Sequence, residues 1–297
     1  MKTAIVTGAN SNYYDHLLCL CKSLKINKIL ENNDVKLCIF NIDFNNEQIN
    51  ELKQFTDLII SPKWDFDLKF QTEQWKKLLT VRPFLRDYFI GFENYIWLDA
   101  DTYALSDDFV NLFSQSLKKK DLNIIPELDT SYINNIPQRS FKNVFKNIYL
   151  AKGWVYKNNL KYFGKKYAAL VLDKPIFNAG VFSLKNTSLI WDIWKKNYKF
   201  VIENSNNDYC LNMDQASLNK AIYENFDLIN IFSAKFNWLI KNCLPLIDEK
   251  KNFYTKSFPY ERISILHFTQ INKKEIYNFY EIDKNKNMDF TFNELTD

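Results

Sequence analysis

The sequence predicts an α/β fold, a mostly parallel central sheet with helices on its faces, built as one compact domain of two abutting halves. Two observations carry this. Short apolar runs alternate with helix-periodic ones from the first residues onward, the pattern of successive βα units. In addition, 46% of the 297 residues are hydrophobic, enough for a sizeable core in one large domain or two closely joined ones.

The elements follow in order. Residues 3–7 (TAIVT) are a β-branched run ending at Gly8, read as a buried strand that feeds a loop. Residues 15–24 place Leu17, Leu18, Cys19, Leu20 and Leu24 at helical spacing. Residues 35–42 (VKLCIFNI) predict a second strand, 46–55 a helix, and 58–60 a third strand. Residues 73–88 look helical. The run 95–98 (YIWL) is a strand that leads directly into Asp99-Ala100-Asp101, and 122–125 is a further strand. From 126 to 167 the pattern dissolves into aromatic, Lys- and Asn-rich segments, expected to form a variable region over a site. Order returns at 168–172 and at 175–184 (PIFNAGVFSL), with helices at about 189–203 and 214–224 and a late strand at 263–268 (ISILHF). Beyond residue 272 the chain reads as a short polar tail.

Composition narrows the function. Gly (5) and Pro (7) are too scarce for a fibrous or low-complexity chain. The net charge is +4, from 39 basic and 35 acidic residues, and no basic stripe stands out; nucleic-acid binding is not expected. Lys118-Lys119-Lys120 reads as a solvated helix end. The five cysteines (Cys19, Cys21, Cys38, Cys210, Cys243) are odd in number and lack zinc-ribbon spacing, which suits a reducing compartment. The first residues, MKTAIVTGANSN, read as a core strand and not a signal peptide. No stretch approaches the roughly 18 apolar residues of a membrane span. A soluble, cytoplasmic protein is expected, with peripheral membrane contact and oligomeric state left open.

The strongest local signal is Asp99-Ala100-Asp101. Two carboxylates two residues apart, just past an apolar strand, lie on one side of an extended backbone. Burying them together is costly without a cation. Hard oxygen ligands suit Mg²⁺ or Mn²⁺, and the carboxyl end of a strand is where open α/β sheets bind ligands. The plainer alternative is a strand followed by an acidic turn. The chain has two histidines. His16, near the start of the first helix, reads as partly buried and structural. His267, at the end of ISILHF, is either a satisfied core histidine or a third metal ligand.

Five blocks together resemble a GT-A glycosyltransferase, and most closely the retaining family 8 glycosyltransferases. IVTGANSNYYDHLLCLCKSL is similar to that family's first strand, nucleotide loop and helix. TVRPFLRDYFIGFENYIWLDADTYAL is similar to its Arg-containing helix and D-x-D strand. PIFNAGVFSL resembles the F-N-A-G segment, NMDQASLN the D-Q-x-x-L-N segment, and ILHF with Lys273 the start of H-x-x-G-x-x-K-P-W. The chain departs from the last motif: Gln270 stands for Gly, Lys274 for Pro, and no Trp follows. The resemblance divides the chain into a nucleotide-sugar-binding half (1–125), a donor-sugar and acceptor half (126–270) and a C-terminal tail (271–297).

The resemblance implies a metal-dependent transfer of a hexosyl group from a nucleoside diphosphate sugar, UDP-linked in this family, to a saccharide or glycoconjugate hydroxyl, with retention. It implies that Asp99, Asp101 and His267 hold Mn²⁺ or Mg²⁺, and that Gly8, Ala9, Asn10 and Tyr13 frame the nucleoside, Tyr13 stacking on the base. Arg82, seventeen residues before Asp99, would meet diphosphate or ribose. Ala100 lies in the D-x-D segment itself. Asn178, Ala179 and Gly180 would line the donor sugar, Asp214 and Gln215 the reacting face, and Lys273 would pair with phosphate. An inverting reaction would need a base carboxylate, for which Asp214 is available. The product points to polysaccharide biosynthesis.

Other readings remain in play. A nucleotidyltransferase on a similar sheet would want a Gly-rich basic loop after the first strand, and Gly8 to Tyr13 holds no Lys or Arg. A non-catalytic carbohydrate-binding relative would not need the full ligand set. Trp64, Trp75, Trp154 and Trp238 are sugar-stacking candidates, though aromatics serve more often as core. Asp283, Asn285, Asn287, Asp289 and Glu294 fall at EF-hand positions 1, 3, 5, 7 and 12. Met288 occupies the place where that loop needs Gly, so a solvated tail is the expectation there.

Overall fold

The computed structural model describes residues 2–67, 73–132, 140–143, 148–151, 153–205, 212–269 and 275–295. β1 (Thr3–Ala9) is buried at every position, and Gly8 lies inside it. α1 (Tyr14–Ile26) buries Leu17, Leu20, Cys21 and Leu24, with Asp15 in its first turn and Lys25 in its last, each complementing the helix dipole. β2 (Val35–Asn41) leads to α2 (Asn46–Leu52), which opens on a reciprocal Asn45–Gln48 capping box. β3 (Ile59–Ile60) is short.

The predicted helix over 73–88 is instead broken. α3 (Lys77–Thr80) and α4 (Leu85–Tyr88) flank a tight turn, Arg82–Phe84, that contains Pro83. Proline has no N–H to donate and its ring clashes with the preceding turn. The break puts Arg82 in a bend, 8% exposed.

β4 (Asn94–Leu98), β5 (Thr102–Ala104), α5 (Asp108–Ser116) and β6 (Leu122–Pro126) follow. β7 (Ser140–Asn143) and β8 (Ile148–Ala151) form a hairpin, and α6 (Trp154–Leu170) kinks at Gly164. The expected irregular region from 126 to 167 thus contains structure of its own. Next come β9 (Phe177–Lys185), α7 (Ile190–Asn204), α8 (Met213–Glu224) and β10 (Ile229–Ile231). The last elements are β11 (Trp238–Leu239), β12 (Leu246–Ile247), β13 (Phe253–Tyr254), β14 (Ile265–His267), β15 (Ile276–Glu281) and β16 (Lys286–Thr291).

The main sheet has seven strands in the order β10-β6-β9-β4-β1-β2-β3. β1 pairs in parallel with β2 and β4, β2 with β3, and β10 with β6. Within this sheet β9 runs antiparallel, between β4 and β6. Two apolar layers cover the sheet. Leu17, Leu20, Leu24, Phe109 and Phe113 pack on one side, and Trp97, Phe182, Trp191 and Trp194 on the other. The proposed halves interleave here, because β9 of the second inserts between strands of the first.

The chain end is ordered, not a polar tail. β15 and β16 pair antiparallel and join β12 and β13 in a four-stranded sheet. Phe279, Phe290 and Phe292, each 1% exposed, pack with Phe253 and Phe268 in a third core. This also overturns the EF-hand spacing. Asn287 and Asp289 sit on a strand paired to Tyr280 and Asn278, so 283–294 spans the turn and second strand of the 276–291 hairpin and then a short 3-10 turn, and does not wrap an ion as one loop. No helix among the described residues is long and apolar enough to cross a membrane, and Cys19, Cys21, Cys38 and Cys243 form no disulfide.

Candidate metal and nucleotide site

Asp99, Ala100 and Asp101 occupy a turn between β4 and β5, not an extended strand end. The Thr102 N–H donates to the Asp99 carbonyl at 3.0 Å and its hydroxyl to the same oxygen at 2.8 Å. This turn, and not strand alternation, brings the two carboxylates to one side. His267 arrives from far along the chain because β14 pairs antiparallel with β5. His267 stands opposite Thr102, and the Phe268 N–H donates to the Asp101 carbonyl at 2.8 Å. One ligand atom each of Asp99, Asp101 and His267 lies within 4.8 Å of the others.

β9 supplies the fourth side. Because it runs against β4 and β6, its first residues meet their carboxyl ends. Ile124 pairs with Phe182, but the next β6 residue, Ile125, pairs with Asn178. Ala179, Gly180 and Val181 are therefore bulged out of register with β6, a device common beside functional sites. The Asp99 N–H donates to the Gly180 carbonyl at 2.8 Å. A Cβ on Gly180 would lie 2.6 Å from His267 Cε1 and 2.8 Å from Asp99 Oδ2, so only glycine fits between the two groups.

Arg82 binds two carboxylates. Its Nη2 donates to Asp99 Oδ1 at 2.5 Å, and its Nη1 pairs with Asp214 Oδ2. The Trp97 indole donates to the same Asp99 oxygen at 2.7 Å, under the Arg82 guanidinium. Burial raises the Asp99 pKa against the pull of Arg82 and His267. Burial also pushes Asp101 up, but His267, by charge and hydrogen bond, outweighs it and holds the carboxyl below its ordinary value. His267 shows the converse. Burial lowers its pKa, but Asp101 at 3.3 Å outweighs burial and holds the ring above its ordinary value. By formal charge, the three carboxylates of Asp99, Asp101 and Asp214 outnumber the one fixed cation, Arg82, by two. A divalent cation that displaces the ring proton would neutralise the cluster.

A cleft of about 1060 Å³, open to solvent, adjoins this cluster. It is lined by Gly8, Ala9, Asn10, Tyr13, Arg82, Asp99, Ala100 and Asp101, and also by Trp75. Asn10 and Tyr13 belong to a tight turn in which the Asn10 carboxamide accepts from the Tyr13 N–H. Gly8 is glycine for packing reasons, since a Cβ would meet Leu78 at 2.6 Å and Phe40 at 2.8 Å. Gln215 reaches the site from α8 and accepts from the Ala179 N–H at 3.2 Å.

The structure thus brings together Gly8, Ala9, Asn10, Tyr13, Arg82, Asp99, Ala100, Asp101, Asn178, Ala179, Gly180, Asp214, Gln215 and His267. Lys273, with Gln270 and Lys274, lies outside the described residues, as does Cys210. Trp238 is core, fully buried.

Glu127 and Asn237 escaped sequence reasoning, His16 was read there as structural only, and Trp75 was among the aromatic sugar-stacking candidates. Glu127, at the end of β6, accepts from Asn178 Nδ2 at 2.9 Å and from Gln215 Nε2 at 3.5 Å. Burial raises its pKa, and its Oε2 finds no partner among the described residues. Asn237 contacts His267 Nδ1 at 2.8 Å. Trp75 faces the cleft. His16 lies with its ring 5.1 Å from Tyr13 and adds a last, small downward pull on the Asp101 pKa. None belongs to a recognisable spacing. For Glu127, position at the carboxyl end of a predicted strand was the one available signal.

No protein-family model matches this sequence, and no curated protein matches it. Solved structures do match its fold. The galactosyltransferase LgtC, in complex with donor and acceptor sugar analogs, superposes with a TM-score of 0.51 over 89% of this chain and 86% of its own, at 13% identity. The chain has a GT-A fold. Mouse xyloside xylosyltransferase 1 is similar at a TM-score of 0.51 and 10% identity, covering 90% of this chain and 97% of that one. The bifunctional glycosyltransferase WbbM matches at 0.53 and 12% identity over 91% of this chain, which spans 46% of WbbM.

Proposed function

We propose that this chain is a metal-dependent glycosyltransferase of the retaining, family 8-like kind. It would move a hexosyl group from a UDP-linked sugar to a hydroxyl of a saccharide or glycoconjugate, in cytoplasmic polysaccharide assembly. The observation that carries the reading is the Asp99–Asp101–His267 cluster at the edge of a cleft shared with Arg82 and Tyr13. Two carboxylates and an imidazole fit Mn²⁺ or Mg²⁺, and the surplus negative charge asks for a cation. Bound there, the ion supplies Lewis acidity toward the leaving diphosphate.

The chain's own groups do the rest. Tyr13, 46% exposed, stacks on the base, with Gly8, Ala9 and Asn10 along the nucleoside. Arg82 places fixed positive charge at the diphosphate, joined by Lys273. Asn178, Ala179 and Gly180 line the sugar, and Gln215 holds the reacting face. Asp214 has an oxygen committed to Arg82, so we assign it to holding that guanidinium and keep the retaining reading. Glu127 supports a second reading. A buried carboxylate of raised pKa with a free oxygen suits a general base, and a base would give inversion. The anomeric configuration of the product separates the two.

The test is a thermal-shift and hydrolysis screen of nucleoside diphosphate sugars with and without Mn²⁺. A donor at about a hundredfold its Kd stabilises by roughly 2.7 kcal/mol. If no nucleotide sugar stabilises the protein in either condition, the transferase reading fails.

A further inference from the structure

Asn237 is fully buried, just before β11, and touches the metal cluster through His267. At ordinary detail a carboxamide's oxygen and nitrogen look alike, as do the two tautomers of a neutral imidazole. Here the hydrogen-bond chain fixes both. The Gly180 backbone N–H can only donate, and it lies 2.8 Å from the Asn178 side-chain oxygen. Asn178 therefore turns its nitrogen to Glu127 Oε1, at 2.9 Å. A carboxylate oxygen accepts, so the far end of the chain agrees with the near end. The Asn178 oxygen also receives a second group, 2.9 Å away, from Asn237. That group must be the Asn237 NH₂. Its carbonyl oxygen is then left facing His267 Nδ1 at 2.8 Å. An oxygen there requires a proton on Nδ1. The lone pair of the neutral ring then sits on Nε2, the nitrogen turned to Asp101.

We propose that Asn237 is a positioning residue that holds His267 in the Nδ1–H tautomer, so that Nε2 is the ligating nitrogen. The inference rests on the metal-site reading above and names what prepares that site. Its origin is a backbone amide: Gly180 orients Asn178, Asn178 orients Asn237, and Asn237 orients the imidazole. Outer partners of this kind commonly fix the ring and tautomer of a metal-binding histidine. The same chain ends on Glu127, so the ligand and the buried carboxylate are tied through two carboxamides.

Two histidines in the chain make the tautomer directly readable. Histidine-¹⁵N-labelled protein, metal-free and at a pH where the ring is neutral, is examined by long-range ¹H–¹⁵N correlation. His267 is expected as Nδ1–H in the parent protein. Asn237→Leu removes the acceptor and should lose that preference, with Mn²⁺ affinity, read by electron paramagnetic resonance, falling about 10–100-fold. Asn237→Asp loses the donor to Asn178 Oδ1 but keeps an acceptor at Nδ1, so it should keep the proton on Nδ1 even where the fold is weakened, which a merely structural role would not predict. An Nε2–H tautomer in the parent overturns the proposal without any variant. So does Asn237→Leu binding Mn²⁺ as tightly as the parent. If the parent binds no Mn²⁺, the metal reading fails, while the tautomer measurement still decides the role of Asn237.

Discussion

Alanine at Gly180 is the sharpest probe of the proposed metal cluster. The added Cβ would lie 2.6 Å from His267 Cε1, 2.8 Å from Asp99 Oδ2 and 2.9 Å from Asn178 Oδ1. Carbon–carbon contacts are comfortable at about 3.5–4.0 Å, so the ring contact falls short by about 1 Å. Backbone strain plays no part, because the positive-φ glycines are Gly91 and Gly164. None of the three neighbours is free to yield. His267 is held through Nδ1 by Asn237, Asp99 by Arg82 and Trp97, and Asn178 by the Gly180 N–H itself. Overpacking of this kind costs about 1–3 kcal/mol. At roughly 2.1 cal/mol/K per residue the melting point should fall by about 2–5 °C. The larger effect is on metal. A ligand displaced by about 1 Å leaves the tolerance of about 0.2 Å for coordination distances, so Mn²⁺ affinity should drop by about 100-fold or more. Differential scanning fluorimetry and paramagnetic titration of free Mn²⁺ read the two effects. Gly91→Ala and Gly164→Ala are the controls. A Cβ there meets nothing within 4 Å, and φ values of 97° and 81° cost about 1–2 kcal/mol with metal affinity unchanged. Gly180→Ala that binds Mn²⁺ like the parent refutes the cluster as a metal site.

Other outcomes follow from the same geometry. Burial lowers the His267 pKa but Asp101 lifts it above 6.5, so proton and metal compete for Nε2. Mn²⁺ affinity should climb up to about tenfold per pH unit until the ring is neutral. Metal-free protein should lose stability as pH rises from 6.5 through the folded-state pKa, since the folded ring binds its proton more tightly; pH-independent Mn²⁺ binding contradicts this. Arg82→Met strands the buried Asp214 carboxylate and the partly buried Asp99 one and should cost about 3 kcal/mol in urea unfolding. Saturating Mn²⁺ should restore part of it, through Asp99 and not Asp214. Glu127→Gln keeps the acceptor for Asn178 and should leave folding and Mn²⁺ binding intact while turnover falls; unchanged turnover removes Glu127 from the reacting face. Phe290→Ala should destabilise by about 3–5 kcal/mol, because the chain end is core; a change near zero would return it to the status of a tail.

The fold was legible wherever one element reported its own surroundings. β1, β2, β4, α1, α7 and α8 are buried as their apolar patterns require, because each packs on the sheet with one face or two. The failures share a different cause. The stretch 73–88 keeps helical periodicity, but Pro83 breaks it locally, and periodicity does not register a missing N–H. The chain end looked polar because its hairpin alternates. Lys286, Asn287 and Asp289 are exposed while Phe290 is buried, and a two-residue period over six residues is easily lost among lysines and asparagines. The direction of β9 was not legible at all, since parallel and antiparallel buried strands carry the same apolar run.

That direction is what assembles the site. A parallel β9 would carry Asn178 and Gly180 to the opposite end of the sheet from Asp99. Running antiparallel, its first residues meet the last residues of β4 and β6, which are the ends where α/β sheets hold ligands. The same reversal recurs in the small sheet, where β14 meets β5 antiparallel and sets His267 opposite Thr102. One antiparallel strand in the main sheet, beside β4, and one in the small sheet, beside β5, therefore supply the glycine and the imidazole that flank the Asp99–Asp101 turn. Residue types were readable one block at a time, and so were Asp99 and Asp101. Asn237 and Glu127 were not, because their roles exist only after both reversals have brought a backbone amide, two carboxamides and a ring into line.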